Sequence, residues 1–97
     1  MLYHARFFGL IGMNLDTRPG EPIPFDLPED ATYADLLDAI DARFSRRFPP
    51  NVWDAVERSF HFQVLAFQDA RQFRTRDRSA PLTENGVMAF FVPIAGG

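Results

Sequence analysis

The chain contains no cysteine and no lysine among its 97 residues. Without cysteine there is no disulfide bond, no thiolate metal ligand and no cysteine nucleophile. Without lysine there is no side-chain amine to form a Schiff base or to accept an isopeptide bond. All ten of the Lys and Arg positions are arginine. These absences exclude several classes of enzyme before any motif is considered.

Long apolar runs and net positive charge are also missing. No run approaches about 18 apolar residues, and the first residues lack the basic-then-apolar order of a signal peptide. We therefore expect no membrane span and a cytoplasmic protein. The formal net charge of −3 argues against nucleic acid or an anionic membrane as a partner. One local exception is a basic cluster of four arginines, Arg71, Arg74, Arg76 and Arg78.

The residue types that support catalysis do not form recognisable patterns. His4 and His61 have no metal-ligand spacing to other histidines or carboxylates, so surface histidines are the simpler interpretation. Ser45, Ser59 and Ser79 lie outside any nucleophile-elbow pattern. The sequence therefore predicts no metal site, no cofactor bound by the chain itself and no independent enzymatic activity.

Two strands are predicted near the start of the chain. Residues 2–8 alternate, which places Tyr3, Ala5 and Phe7 on the core face. Residues 21–27 alternate again, with Pro22 and Pro24 on the outward register. Because proline cannot donate to a neighbouring strand, the second strand is predicted to lie at an edge of the sheet.

A helix is predicted after this strand, because Thr32 can cap it and Asp35 can complete a capping box. Its apolar stripe consists of Leu36, Leu37, Ile40 and Phe44. Pro49-Pro50 ends the helix. Asn51 is then predicted to cap a short second helix, which holds Val52, Trp53, Val56 and Phe60.

The second half of the chain predicts three more strands. They cover residues 61–67, a short polar stretch at 72–75, and the apolar run that begins at Val87 and ends at Pro93. A loop at 77–86, anchored by Leu82, precedes the last strand. The order predicts one α+β domain over residues 1–97, with a mixed four- to five-stranded sheet and one main helix across one face. The first and last strands are the most apolar, so we expect them to pair in parallel at the centre.

The sequence ends in a tail with little side-chain bulk, residues 95–97. Glycine lacks Cβ, so Gly96 and Gly97 can pass through a narrow channel and leave the terminal carboxylate open to attack. The last eight residues, Phe90-Phe91-Val92-Pro93-Ile94-Ala95-Gly96-Gly97, resemble the Phe-Phe-Pro-Pro-Val-x-Gly-Gly ending of the MoaD family, the small subunits of molybdopterin synthase. Residues 80–87 are similar to the Pro-Leu-x-Asp-Gly-Asp-x-Val turn of the same family, and Ala5-Arg6-Phe7-Phe8-Gly9 is similar to its first strand.

More broadly, the chain resembles the MoaD/ThiS-type ubiquitin-like sulfur carriers, which have the β-grasp fold. The resemblance implies that an E1-like adenylating enzyme of the MoeB/ThiF type, using ATP and Mg²⁺, activates the Gly97 carboxylate. A sulfur donor then converts the acyl-adenylate to a thiocarboxylate. The sulfur passes to a MoaE-like large subunit or to another acceptor enzyme. Gly97 and Gly96 are the predicted reactive end, and the predicted partner-binding residues are Phe8, Phe90, Phe91, Val92, Pro93, Ile94, Ala95, Arg71 and Arg74.

Other functions remain open from the sequence. The chain is also consistent with a ubiquitin-like modifier conjugated through Gly97, a sulfur carrier for thiamine or a specialised metabolite, or a non-catalytic binding domain of ubiquitin-like fold. The outer face of the last strand is either open for a partner or covered by a loop.

Overall fold

The computed structural model describes residues 1–13, 15, 17–61 and 63–93, except for the side chains of residues 10 and 45. In chain order the strands and helix are β1 (Leu2–Phe7), β2 (Ile23–Asp26), α1 (Tyr33–Phe44), β3 (Trp53–Asp54), β4 (Ser59–Phe60), β5 (Leu65–Gln68), β6 (Arg71–Phe73) and β7 (Val87–Phe91). Three short 3-10 helices cover Gly9–Gly12, Ser45–Arg47 and Thr75–Asp77.

Five strands form one mixed sheet in the order β2-β1-β7-β5-β6. The central strand β7 runs parallel to β1, in a register from His4↔Val87 to Phe7↔Phe90, and antiparallel to β5. This arrangement confirms the predicted α+β fold of the β-grasp type and the central parallel pair. A buried strand with apolar residues on both faces belongs in the middle of a sheet, where neighbours take up all its backbone groups.

The first hairpin follows the predicted alternation. Tyr3, Ala5 and Phe7 are buried, while the residues between them are partly exposed. β2 lies at one edge of the sheet and pairs with β1 alone, with Pro24 opposite His4. The edge position predicted from the prolines is therefore confirmed.

The helix α1 begins with the predicted capping box. The Thr32 backbone N–H donates to Asp35 Oδ2 at 2.8 Å, and the Asp35 N–H donates to Thr32 Oγ1 at 3.4 Å. Leu36, Leu37 and Ile40 have no exposed surface, and Phe44 is also buried. Burial of these four side chains contributes about 6–12 kcal/mol before the loss of conformational entropy is subtracted.

The prediction of a second helix after Asn51 is wrong, because β3 and β4 form a small antiparallel hairpin instead. Trp53 and Phe60 face each other across it, and Val56 at its tip is 89% exposed. The Asp54 carboxylate accepts the backbone N–H groups of residues 56 and 57, at 2.9 and 3.0 Å. Such a turn competes directly with a helix for the same backbone groups.

An aromatic cluster joins the sheet, the helix and this hairpin. Phe7 stacks on Phe90 at 5.2 Å, and Phe90 contacts Phe60 at 4.8 Å. Trp53 meets Phe60 edge-on, also at 4.8 Å. The hairpin thus adds two aromatic residues to the core, and the cluster employs several of the eleven phenylalanines in the sequence.

The remaining elements lie close to their predicted positions. β5 starts later than predicted, and β6 covers residues 71–73 in place of 72–75, with Phe73 buried. Leu82 anchors the loop as expected: it is buried, and its N–H donates to the Ala31 carbonyl at 3.0 Å. In the described part of the chain, no helix has the length and apolar character needed to cross a membrane.

Candidate functional site

The end of β7 is where the chain leaves the sheet. The Phe8 N–H donates to the Phe90 carbonyl at 3.0 Å, and Phe91 is the last paired residue of the strand. Val92 is half-buried and Pro93 is exposed, so the main chain reaches the surface at this point. The predicted site residues Ile94, Ala95, Gly96 and Gly97 lie outside the described residues, and their roles stay predictions.

The two phenylalanines at the end of β7 have different environments. Phe90 has no exposed surface and is enclosed by the aromatic cluster. Its predicted role as a partner contact does not fit this burial, because a partner cannot reach the ring without unfolding the core. Phe91 points to the opposite face, is half-buried, and stacks on Phe67 with ring centroids 5.8 Å apart. Phe91 therefore remains a candidate contact.

Phe8 lies on the same face as Phe91, where the loop between β1 and β2 covers part of it. The Arg6 guanidinium lies over the Phe8 ring at 4.8 Å, and Arg6 Nε donates to the Gly20 carbonyl at 2.7 Å. A Cβ on Gly20 would approach the Phe8 ring to 3.0 Å, so glycine permits this close contact. Further along, Val87 is 38% exposed. The face is thus covered at Phe8 and more open along β7.

An apolar cavity of about 220 Å³ adjoins the point where β7 ends. Its apolar wall includes Phe8, Ile11, Val52, Phe91 and Val92. The loop after β1 and the segment before the β3–β4 hairpin form its other walls. Four of the predicted partner-binding residues lie at this end of the sheet: Phe8, Phe91, Val92 and Pro93.

A buried polar group fixes the loop that leads into β7. The Tyr3 hydroxyl donates to Gln68 Oε1 at 2.7 Å, and the same oxygen accepts the Thr83 N–H at 2.9 Å. A Cβ on Gly86 would approach the Thr83 carbonyl oxygen to 2.9 Å, so only glycine allows the chain to pass. Burial raises the pKa of the Tyr3 hydroxyl well above its ordinary value, so it stays a donor.

The predicted partner residues Arg71 and Arg74 lie together on β6 and just after it. The Arg71 guanidinium lies 4.6 Å from the centre of the Phe73 ring, and Arg74 Nη2 donates to Gln72 Oε1 at 3.4 Å. Arg78 donates to the Glu57 carbonyl at 2.7 Å. Within residues 1–13, 15, 17–61 and 63–93, none of the four clustered arginines forms an ion pair with a carboxylate.

Away from the end of β7, the described residues offer few groups that could bind a metal or support catalysis. They contain no cluster of three or more His, Asp or Glu that could hold a metal ion. His61 Nε2 lies 3.0 Å from the Pro50 carbonyl oxygen, which gives that ring a structural contact. The structure brings Phe8, Phe91 and Val92 together, whereas Arg71 lies on the edge strand β6 and Arg74 directly follows that strand.

Comparisons with known proteins agree with this architecture. No family model and no curated protein matches the sequence. The fold is similar to a crystal structure of SAMP1 from Haloferax volcanii, with 16% identity, full coverage of both chains and a TM-score of 0.74. A crystal structure of H. volcanii small archaeal modifier protein 1 has 18% identity, covers 96% of this chain and 98% of its own, and has a TM-score of 0.68.

A third similar structure is the solution structure of the H. volcanii HVO 2177 protein. It has 22% identity and a TM-score of 0.68, and it covers 100% of this chain and 87% of its own. At these identities the comparisons establish a shared β-grasp fold.

Proposed function

We propose that this chain is a ubiquitin-like carrier protein whose Gly97 carboxylate is activated by an E1-like enzyme. The observation that carries the proposal is the central strand β7, which is held between β1 and β5 and brings the chain to the surface at Pro93. A rigid sheet thereby presents the segment that leads to Gly96 and Gly97. The fold shared with small archaeal modifier protein 1 supports the same assignment.

The favoured chemistry is sulfur transfer. A carboxylate resists nucleophiles, so the activating enzyme first joins it to AMP from ATP, with release of pyrophosphate. Hydrosulfide then attacks the acyl carbon; a carbon–sulfur bond forms, the bond to AMP breaks, and the products are the thiocarboxylate and AMP. ATP and Mg²⁺ belong to the activating enzyme. The ending Phe90-Phe91-Val92-Pro93 followed by Ile-Ala-Gly-Gly favours a MoaD-like role, in which a MoaE-like subunit receives the sulfur for molybdopterin.

Intact-mass measurement tests the first step. The purified chain is incubated with an E1-like enzyme of the MoeB type, ATP, Mg²⁺ and a sulfide source. We expect a mass gain that corresponds to replacement of one oxygen by sulfur, and none in a variant that lacks Gly97. A chain that stays unmodified with every such activating enzyme of its own organism contradicts the proposal. Conversion of a pterin precursor by the thiocarboxylate chain together with a MoaE-like subunit tests the molybdopterin assignment.

Protein modification is the second candidate, supported by the name of the similar small archaeal modifier protein 1. Here an amine of a target protein attacks the activated carboxylate and forms an amide. A tagged chain expressed in cells would then produce a ladder of conjugates that disappears when Gly97 is deleted. Thiocarboxylate formation without any conjugate would leave sulfur transfer as the function.

A further inference from the structure

A second cleft lies near the end of the sheet from which the chain leaves β7. It has a volume of about 330 Å³. Its floor includes Tyr33, Phe60 and Phe73, all of which are buried, and its rim includes Arg74, Thr75 and Arg76, all of which are exposed. We call these six residues, together with Val64, Leu65 and Gln72, the basic cleft. Its size is at the lower end of the range of roughly 300–1,000 Å³ that is typical of ligand pockets, enough for one or two side chains.

The register of the sheet places the basic cleft beside the exit of β7. Leu65 lines the cleft and is paired with Phe91, the last residue of β7. Phe91 in turn lines the apolar cavity described above. A protein that covers the exit of β7 therefore reaches the basic cleft on one side and the apolar cavity on the other.

The charge of the basic cleft differs from that of the molecule. Residues 69–78 hold four arginines and two aspartates, in a chain with a formal net charge of −3. One of the two acids is already engaged, because Asp77 Oδ2 accepts the Arg74 N–H at 2.8 Å. The Arg76 guanidinium has no hydrogen bond or ion pair to any other residue that the structure describes. These guanidinium groups are available to carboxylates of a partner.

The apolar floor of the basic cleft indicates which kind of anionic partner fits. The rings of Phe73 and Tyr33 lie 5.3 Å apart, centroid to centroid, and are tilted by 54°. Their edges at the cleft, together with the half-buried Leu65, provide apolar surface, which an inorganic anion or a phosphate group does not use. Burial raises the pKa of the Tyr33 hydroxyl, and the nearby Arg78 charge opposes this only in part, so Tyr33 remains neutral. Nucleic acid is disfavoured by the negative charge of the whole chain. An apolar side chain flanked by carboxylates matches both the floor and the rim.

We propose that the basic cleft binds an acidic peptide segment that carries one apolar anchor residue. The further assignment of this segment to the enzyme that receives the Gly97 tail rests on the proposed function. The anchor side chain contacts Phe60 and Phe73, while its acidic neighbours face Arg74 and Arg76. The activating or acceptor enzyme would thus recognise the folded sheet as well as the tail.

A peptide titration tests the binding site in the full chain. The isotope-labelled protein is titrated with the capped peptide acetyl-Glu-Asp-Leu-Asp-Glu-amide in an NMR experiment. We expect weak binding of about millimolar affinity, with amide shifts concentrated at residues 64–65 and 72–76. Peptides with Gly in place of Leu, or with Asn and Gln in place of the acidic residues, should bind at least about fivefold more weakly.

Charge variants separate local recognition from net charge. The double variant R74Q/R76Q should weaken binding about fivefold at low ionic strength and less in high salt. Thr75→Glu, at an exposed position, should weaken it by a similar factor through repulsion. The control R18Q/R46Q removes the same charge from exposed arginines elsewhere, and it should change the affinity less than twofold. Arg46 follows the far end of α1, about 18 Å from Tyr33 along the helix axis.

Several results would overturn the proposal. One is a set of amide shifts that lie outside the basic cleft. Another is a loss of peptide affinity in R18Q/R46Q as large as that in R74Q/R76Q. A third is tighter binding of phosphatidylserine vesicles or of a single-stranded oligonucleotide than of the peptide. For the enzyme assignment, R74Q/R76Q should raise the KM of the activating or acceptor step and leave kcat unchanged. An unchanged KM with intact peptide binding would remove that assignment. Peptide binding without any thiocarboxylate formation would contradict the proposed function but not the cleft.

Discussion

The two faces of β7 are made of similar residues, yet they differ in what they do. On the helix side, Met88 and Phe90 have no exposed surface and join the core. On the other side, Val87 and Phe91 remain partly exposed, and Phe91 lies where the chain leaves the sheet. The comparison teaches that apolar character alone does not identify an interface. Alternation along the strand assigns Phe90 to stability and leaves Phe91 available for a partner.

The largest effect is expected for a substitution on the side of β7 that faces the helix. Phe90→Ala should lower the free energy of unfolding by about 3–5 kcal/mol, because it removes a ring packed against Phe7 and Phe60 and leaves a cavity. Chemical denaturation with a measured m-value checks this. Phe90→Leu keeps most of the volume and should cost clearly less. A loss below about 1.5 kcal/mol for Phe90→Ala would break the comparison, since it would place Phe90 on a surface-like face.

The matching change on the outer face should be milder for folding. Phe91→Ala removes the stacking with Phe67, which is worth about 1 kcal/mol. Under the proposed function it should also raise the KM of the activating enzyme for this chain, since Phe91 borders the exit of β7. Denaturation and thiocarboxylation kinetics on the same variant check both parts. A destabilisation as large as that of Phe90→Ala would erase the difference between the faces.

A third variant sharpens the comparison by testing a polar contact on the core side of the sheet. Tyr3→Phe removes the hydroxyl that donates to Gln68 Oε1, while the Thr83 N–H continues to donate to that oxygen. We expect a loss of about 1 kcal/mol in the free energy of unfolding. Hydrogen exchange at residues 83–86 should accelerate as well, because the loop before β7 loses one of its fixed contacts. Unchanged exchange there would contradict the role assigned to this group.

The smallest effect is expected away from both faces, at the β3–β4 turn. The N–H groups of Glu57 and Val56 hold the pKa of the Asp54 carboxyl below its ordinary value of 3.8. A carboxyl whose pKa is lower in the folded state than in the unfolded state stabilises the fold at pH values above its unfolded-state pKa. This contribution is lost as the pH falls through its folded-state pKa. The stability of the wild type should therefore decline more than that of Asp54→Asn below about pH 4. Parallel curves for the two proteins would contradict this.

The sequence was sufficient for most of the fold because local chemistry and long-range packing agree there. Thr32 and Asp35 mark the start of α1 by hydrogen bonds that involve neighbours in sequence. The prolines of β2 identify an edge strand through the donors they lack. Apolar residues on both faces of residues 87–93 were enough to place that strand at the centre.

The errors arise where two patterns fit the same residues. Val52, Trp53, Val56 and Phe60 have helical spacing, yet the Asp54 carboxylate selects a turn, and Val56 projects into solvent. The two cavities beside β7 were not predicted, since they are formed by segments distant in sequence. The signal for the basic cleft was present in the four arginines, but the apolar floor beneath them depends on how Phe60 and Phe73 are brought together.

The position of β7 has a consequence for biosynthesis. It is the last of the described strands in chain order and it separates β1 from β5, so a nascent polypeptide that lacks it has no continuous sheet. The pairing of His4 with Val87 spans most of the chain, and such distant contacts slow folding. The five-stranded sheet can therefore close only after β7 has emerged from the ribosome.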